Sequence, residues 1–242
     1  MKTIIIYGLR RSGNHMLIST LLQQFSNPVH INNTTLSHEK YMQFKSVPIT
    51  STRVDGKYTG FEQSDCVIIS MENKPIDHKE IAKFSNEGDT HVVVLLRNPY
   101  NTLASAWKVY TKRTKYPRKS AVKTIANMWP EYAKDILQST VVVPVLYDMY
   151  VESMDYVRMV MTQLGIDMKQ VDFNKKIKWQ MSSFNAQENK ARTHGTINNC
   201  VFNDEDEFME IVDKQPIHDL WKQVLVAHTN TNPNTERHTQ NE

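Results

Sequence analysis

Cysteine is scarce: only two occur in 242 residues, Cys66 in an apolar run and Cys200 in a polar stretch. Two cysteines make neither a disulfide framework nor a metal cluster, and no bridge between them is expected in a reducing compartment. Long hydrophobic runs are also missing. Nothing approaches the roughly eighteen consecutive apolar residues that span a bilayer, so no membrane partner is expected. The first residues carry one lysine and then a strand-like run, without the length or cleavage site of a secretory signal; the expected location is the cytoplasm. Charge of one sign is lacking too, since 29 basic residues face 26 acidic ones for a net charge of +3. The basic residues are dispersed, which argues against a nucleic-acid partner and suits an anionic small molecule held in one pocket. Only RTKYPRK, Arg113 to Lys119, concentrates positive charge. No internal repeat is visible, and the sequence does not reveal an oligomeric state.

What is present has the composition of an ordinary folded domain, 40% hydrophobic and 23% charged. We expect residues 1–228 to form a single domain and the polar stretch 229–242 to be disordered. Four short apolar runs, Thr3–Tyr7, Cys66–Ser70, His91–Leu96 and Val141–Tyr147, are continuous instead of alternating. Such runs are strands covered on both faces, as in a parallel sheet with helices on either side. Pro144 in the last run lacks an amide hydrogen and places that strand at or near an edge.

Helical periodicity lies between the runs. Leu17, Ile18, Leu21, Leu22 and Phe25 follow the first; Tyr100, Leu103, Ala104 and Trp107 follow the third, with Asn98 as N-cap and Pro99 at the first helical position. Val157, Val160, Met161 and Leu164 make another stripe, stopped by Gly165, and Ile217, Leu220, Trp221, Val224 and Leu225 a last one. Alternating strands and helices predict an α/β three-layer sandwich with a parallel sheet. Pro28 to Asp65, Lys112–Lys119 and Met181–Asn203 are weakly patterned and read as loops, functional or partly mobile ones.

Gly8 and Gly13 stand at the spacing G-x-x-x-x-G between the first strand and the first helix. Backbone N–H groups in such a turn, followed by a helix N-terminus, form an anion cradle. Asn14 and His15 occupy the positions where a nucleotide triphosphatase places Lys and Ser/Thr, so the γ-phosphate clamp and the magnesium-binding hydroxyl are both missing. Positive charge sits inside the loop instead, at Arg10 and Arg11. No metal site is expected.

The stretch RRSGNHML resembles the 5′-phosphosulfate loop of the sulfotransferases, whose usual form is P-K-S-G-T-T-W-L. Arg11 falls on the loop lysine, Ser12 and Gly13 match, Asn14, His15 and Met16 are replacements, and Leu17 matches. VVVLLRNPYNTLASAW is similar to the family's 3′-phosphate motif, with Arg97 and Ser105 in place. Arg97 at a strand's carboxyl end and Ser105 two turns into the following helix can converge on one dianion. VLYDMYVESMDYVRMVMTQLGID resembles a structural strand–turn–helix segment in which Asp148 is a turn or cap residue. SSF at 182–184 is similar to a stretch that contacts adenine, bringing in Ser183 and Phe184. The resemblance implies a P-loop sulfotransferase-like fold, with 3′-phosphoadenosine 5′-phosphosulfate (PAPS) as donor, and metal-free in-line transfer of a sulfonyl group to an acceptor hydroxyl or amine, a saccharide among the options.

Under that resemblance the nucleotide contacts are Arg10, Arg11, Ser12, Gly13, Asn14, His15, Met16, Arg97, Ser105, Ser183, Phe184 and Arg192. Arg192, with Lys190 and Gly195, is the nearest substitute for the family's C-terminal R-K-G grip. Arg11 would neutralise the oxygen released as the S–O bond breaks. A base must take the acceptor's proton, and Glu72 in CVIISMENKP stands at the family's station for it. The competing reading makes Glu72 a helix-start carboxylate. His15, His38, Glu39 and Glu62 are alternative bases. Two other functions remain open, a non-catalytic nucleotide-binding module of the same fold and a small-molecule P-loop kinase.

Overall fold

A computed structural model describes residues 1–31, 37–45, 63–86, 88–111, 118–171 and 217–229. The β-branched and aliphatic runs become strands β1 Lys2–Gly8, β3 Cys66–Glu72, β4 Thr90–Leu96 and β5 Val142–Leu146, joined by a short strand β2 Pro28–Ile31. All neighbours are parallel, in the order β2-β3-β1-β4-β5. Successive residues of β1, β3 and β4 are buried without alternation, so helices cover both faces of the sheet. β5 lies at an edge, where Pro144 is tolerated.

Among the described residues the helices are α1 Asn14–Leu22, α2 His38–Lys45, α3 His78–Ser85, α4 Pro99–Thr111, α5 Arg118–Gln138, α6 Tyr147–Glu152, α7 Met154–Gln163 and α8 Ile217–Thr229. α1 buries Leu17, Ile18 and Leu21, and α7 buries Val157, Val160 and Met161 before Leu164 and Gly165, whose φ of 61° ends the helix. α4 starts as its sequence dictates: the Asn98 side chain accepts the N–H of Asn101 at 3.2 Å, and Pro99 takes the first position. Trp129 of α5 is fully buried and meets the Trp221 ring of α8 edge-on at 6.0 Å between centroids.

The structure corrects one sequence expectation and one competing reading. The segment Pro28 to Asp65, read as a loop, contains β2 and α2. β2 is only four residues long and carries Pro28 and His30, which breaks the apolar pattern that marks the other strands; Pro28 is admissible because it begins an edge strand. Glu72 ends β3 and does not begin a helix. The helix-start carboxylate is Asp77, whose side chain accepts the N–H groups of Lys79 and Glu80 at the head of α3. Ser182, Ser183, Phe184, Lys190, Arg192, Gly195, Cys200, Glu62 and most of Arg113–Lys119 lie outside the described residues, as does the expected tail beyond 229.

Candidate functional site

Parallel register brings the site's parts to one end of the sheet. Gly8, the last residue of β1, is opposite Glu72 of β3 on one side and Leu95 of β4 on the other, so the glycine loop is flanked by the carboxyl ends of both neighbours. The loop folds on itself through Ser12, which donates both its N–H (3.1 Å) and its hydroxyl (2.6 Å) to the Leu9 carbonyl. Arg11 has φ 76° and Gly13 φ 99°, both left-handed. Gly13 is indispensable for a second reason, since a Cβ there would lie 2.0 Å from Cδ2 of Tyr147.

Arg11, Arg97 and Ser105 meet. Arg11 Nε donates to Ser105 Oγ at 3.2 Å, and Arg97 Nη1 donates to the Arg11 carbonyl at 3.2 Å. Arg97 is held on its other sides by the Tyr147 ring, 4.9 Å from its guanidinium carbon, and by the indole N–H of Trp129, which donates to its carbonyl at 2.9 Å. Arg97 Nε is buried and has no hydrogen-bond partner. An unpaired buried guanidinium N–H is costly, and an anion placed there would satisfy it.

The side chains of Ser12 and Asn14 are buried and turned inward onto the Leu9 carbonyl, where the Ser12 N–H is also spent. Met16 packs against the core. His15 is exposed in the first turn of α1 and lies close enough to act electrostatically on His30. His30 on β2 is hydrogen-bonded to Ser70 of β3 at 3.0 Å; burial, with His15 adding to it, pulls its pKa down to about 3. Asp148 accepts the N–H of Asn98 at 2.7 Å, so it fixes the start of α4, as expected of a cap residue. Of the alternative bases, His38 and Glu39 belong to α2, and the His38 ring packs edge-on against Phe84 of α3.

Glu72 stands beside the loop. Its Oε1 accepts from Asn14 Nδ2 at 3.1 Å and its Oε2 is 3.5 Å from Arg10 Nε; the Glu72 side chain is 16% exposed and that of Arg10 42%. The Arg10 N–H is bonded to Asn73 Oδ1 at 2.7 Å, the Asn73 N–H to the Gly8 carbonyl at 3.1 Å, and Asn73 has a left-handed φ of 51°. Tyr132 of α5 pins the same turn by donating to the Lys74 carbonyl at 2.6 Å, and its hydroxyl pKa is pushed up chiefly by burial. Tyr147, Trp129 and Asn73 were not among the sequence candidates. Tyr147 had a signal, an aromatic at the end of the strand next to Arg97's own; Trp129 had none, because it reaches the site from a helix with an ordinary apolar stripe.

No family model matches the sequence, and no curated protein does. Solved structures do match. The sulfotransferase domain of the Synechococcus PCC 7002 olefin synthase is similar with a TM-score of 0.53 at 11% identity, over 95% of this chain and 94% of that one. The sulfotransferase from Alicyclobacillus acidocaldarius matches with a TM-score of 0.47 at 13% identity, over 91% and 99%. Mouse sulfotransferase SULT7A1, complexed with PAP, matches with a TM-score of 0.48 at 13% identity over 70% of this chain, which spans 60% of the mouse protein. With the five parallel strands of its described residues, its flanking helices and its glycine loop between β1 and α1, the chain has a sulfotransferase-like P-loop fold.

Proposed function

We propose that the chain is a sulfotransferase that moves a sulfonyl group from PAPS to the hydroxyl or amine of a small-molecule or glycan acceptor. The observation that carries this reading is the convergence of Arg11, Arg97 and Ser105 beside the glycine loop, with Arg97 Nε buried and unpaired. Two guanidinium groups fixed on neighbouring strand ends suit a ligand with two anionic ends. The cradle fits such a donor: the loop's backbone, its left-handed Arg11 and Gly13, and the start of α1 offer N–H groups to one phosphate, and Arg97 with Ser105 offers donors to the other.

In this reading Glu72 accepts the proton of the acceptor hydroxyl as its oxygen bonds to sulfur, and the S–O bond to the donor's phosphate breaks. Arg11 neutralises the charge that develops on the leaving phosphate oxygen. It acts as a fixed charge, since a guanidinium does not give up its proton at working pH. None of the described helices is long and apolar enough to cross a membrane; a cytoplasmic location is part of the proposal and does not rest on that observation.

Transfer of labelled sulfate from PAPS to a panel of saccharides, phenols and amines tests the reading. The wild-type chain should yield product, and Glu72→Gln should lose about a hundredfold or more in turnover while still binding adenosine 3′,5′-bisphosphate (PAP). Tight PAP binding with no product on any acceptor would favour the non-catalytic module, and Mg²⁺-dependent ATP binding the kinase.

A further inference from the structure

We infer that Asn14 is a positioning residue, which ties the Glu72 carboxylate to the glycine loop and so sets the base in register with the bound donor; the inference rests on the sulfotransferase reading. Asn14 is 4% exposed at the first position of α1. Its amide nitrogen lies 3.2 Å from the Leu9 carbonyl and 3.1 Å from Glu72 Oε1. Both neighbours only accept, so the two amide hydrogens are spent on them, and the flipped amide would set oxygen against two oxygens. Oδ1 is 3.3 Å from Ser12 Oγ. One side chain thus touches the loop's entry, its far end and the tip of the neighbouring strand.

The backbone makes room for this link. A Cβ on Gly8 would lie 2.0 Å from Asn14 Oδ1, and Gly8 is the β1 residue in register with Glu72. Glycine at position 8 is therefore demanded by the Asn14 side chain, its own backbone not being among the left-handed positions. With Oε1 held by Asn14, the Glu72 carboxylate has its other oxygen toward Arg10, at the more exposed side of the loop. A rotation of Glu72 away from the loop would strand a buried amide hydrogen, a cost that keeps the carboxylate in place.

The role separates from donor binding because the Asn14 side chain is turned away from the anion cradle. In Asn14→Ala, turnover should fall about tenfold or more while the dissociation constant for PAP stays within about threefold. The same change made in Glu72→Gln should cause no further loss, since the residue acts only through the carboxylate. Asn14→Asp keeps the volume and replaces the two donors with acceptors facing Glu72; it covers the case in which the alanine variant does not fold, and should lose at least as much turnover. Unchanged turnover in either variant, or losses that multiply in the double variant, would overturn the inference and leave the sulfotransferase reading standing. Melting temperatures of the same four proteins read the link without turnover: Asn14→Ala and Glu72→Gln together should cost less than the sum of the two, and additivity breaks the link. A wild-type chain that binds PAP and transfers nothing overturns the transfer reading and the positioning role with it, even if the melting temperatures are non-additive.

Discussion

The two ends of the parallel sheet handle charge and backbone strain in opposite ways. At the amino end, Lys2 Nζ reaches Asp89 Oδ1 at 2.6 Å, His91 Nε2 at 3.2 Å and the Leu164 carbonyl at 2.8 Å, and the lysine side chain is only 11% exposed. Its left-handed positions, 88 and 165, are both glycine. At the carboxyl end Arg97 keeps an unpaired N–H, and two of the left-handed positions are Arg11 and Asn73. A non-glycine residue there costs on the order of 1 kcal/mol. The amino end leaves one buried hydroxyl, Thr90 Oγ1, without a partner but puts only glycine in left-handed positions; the carboxyl end keeps an unpaired charged donor and strained non-glycine residues at three neighbouring strand ends, as expected of a surface that a ligand completes.

Substitutions can break that contrast. The largest effect is expected from Gly13→Ala, which drives a methyl group into the Tyr147 ring at a φ of 99°. It should lower stability by about 2–3 kcal/mol and abolish PAP binding, since Tyr147 also supports Arg97; thermal denaturation with and without PAP checks both. Arg11→Asn should weaken PAP binding by about tenfold or more, because the bond to Ser105 and a loop charge are lost, yet leave the melting temperature unchanged or slightly higher, because asparagine tolerates the left-handed region. Calorimetric titration and a melting curve on the same sample separate the two.

At the amino end, Lys2→Met should cost about 1 kcal/mol, or about 2–4 °C in melting temperature, with PAP affinity unchanged. The figure is small because Asp89 is 53% exposed and can be rehydrated. The mildest effect at neutral pH belongs to His30→Gln. His30 is neutral in the fold, with its pKa lowered to about 3, while the unfolded chain takes up the proton near the ordinary histidine value of about 6.5. Its contribution to stability is therefore present above about pH 6.5 and is lost as pH falls toward 3. The variant should flatten the fall in melting temperature across that window.

Much of this architecture was legible in the sequence, and for a physical reason: continuous β-branched runs such as HVVVLL suit a strand covered on both faces, and Asn98–Pro99 before an apolar stripe suits the start of a helix. β2 escaped because four residues containing Pro28 and His30 carry no periodicity, and its placement depends on pairing with β3. The loop's arginines and Glu72 could be named as candidates because their positions along the chain are fixed by the glycines and by strand ends. What joins them could not be read. Asn14 to Glu72, Arg97 to the Arg11 carbonyl and Trp129 to the Arg97 carbonyl are contacts over 32 to 86 residues of sequence, set by register and packing. The substitution of asparagine at position 14 looked like a lost function in the sequence and is a gained tether in the fold.

Under the proposed function, Arg11 and Arg97 grip the two anionic ends of one nucleotide without a divalent ion. Calorimetric titration of PAP in the presence of a chelator, against the wild-type chain, Arg97→Ala and Lys2→Met, tests it most directly. Expected are one site per chain in the wild type, the same affinity in Lys2→Met, and a loss of at least about tenfold in Arg97→Ala. Equal affinity in all three proteins, or binding that appears only when magnesium is restored, would contradict it.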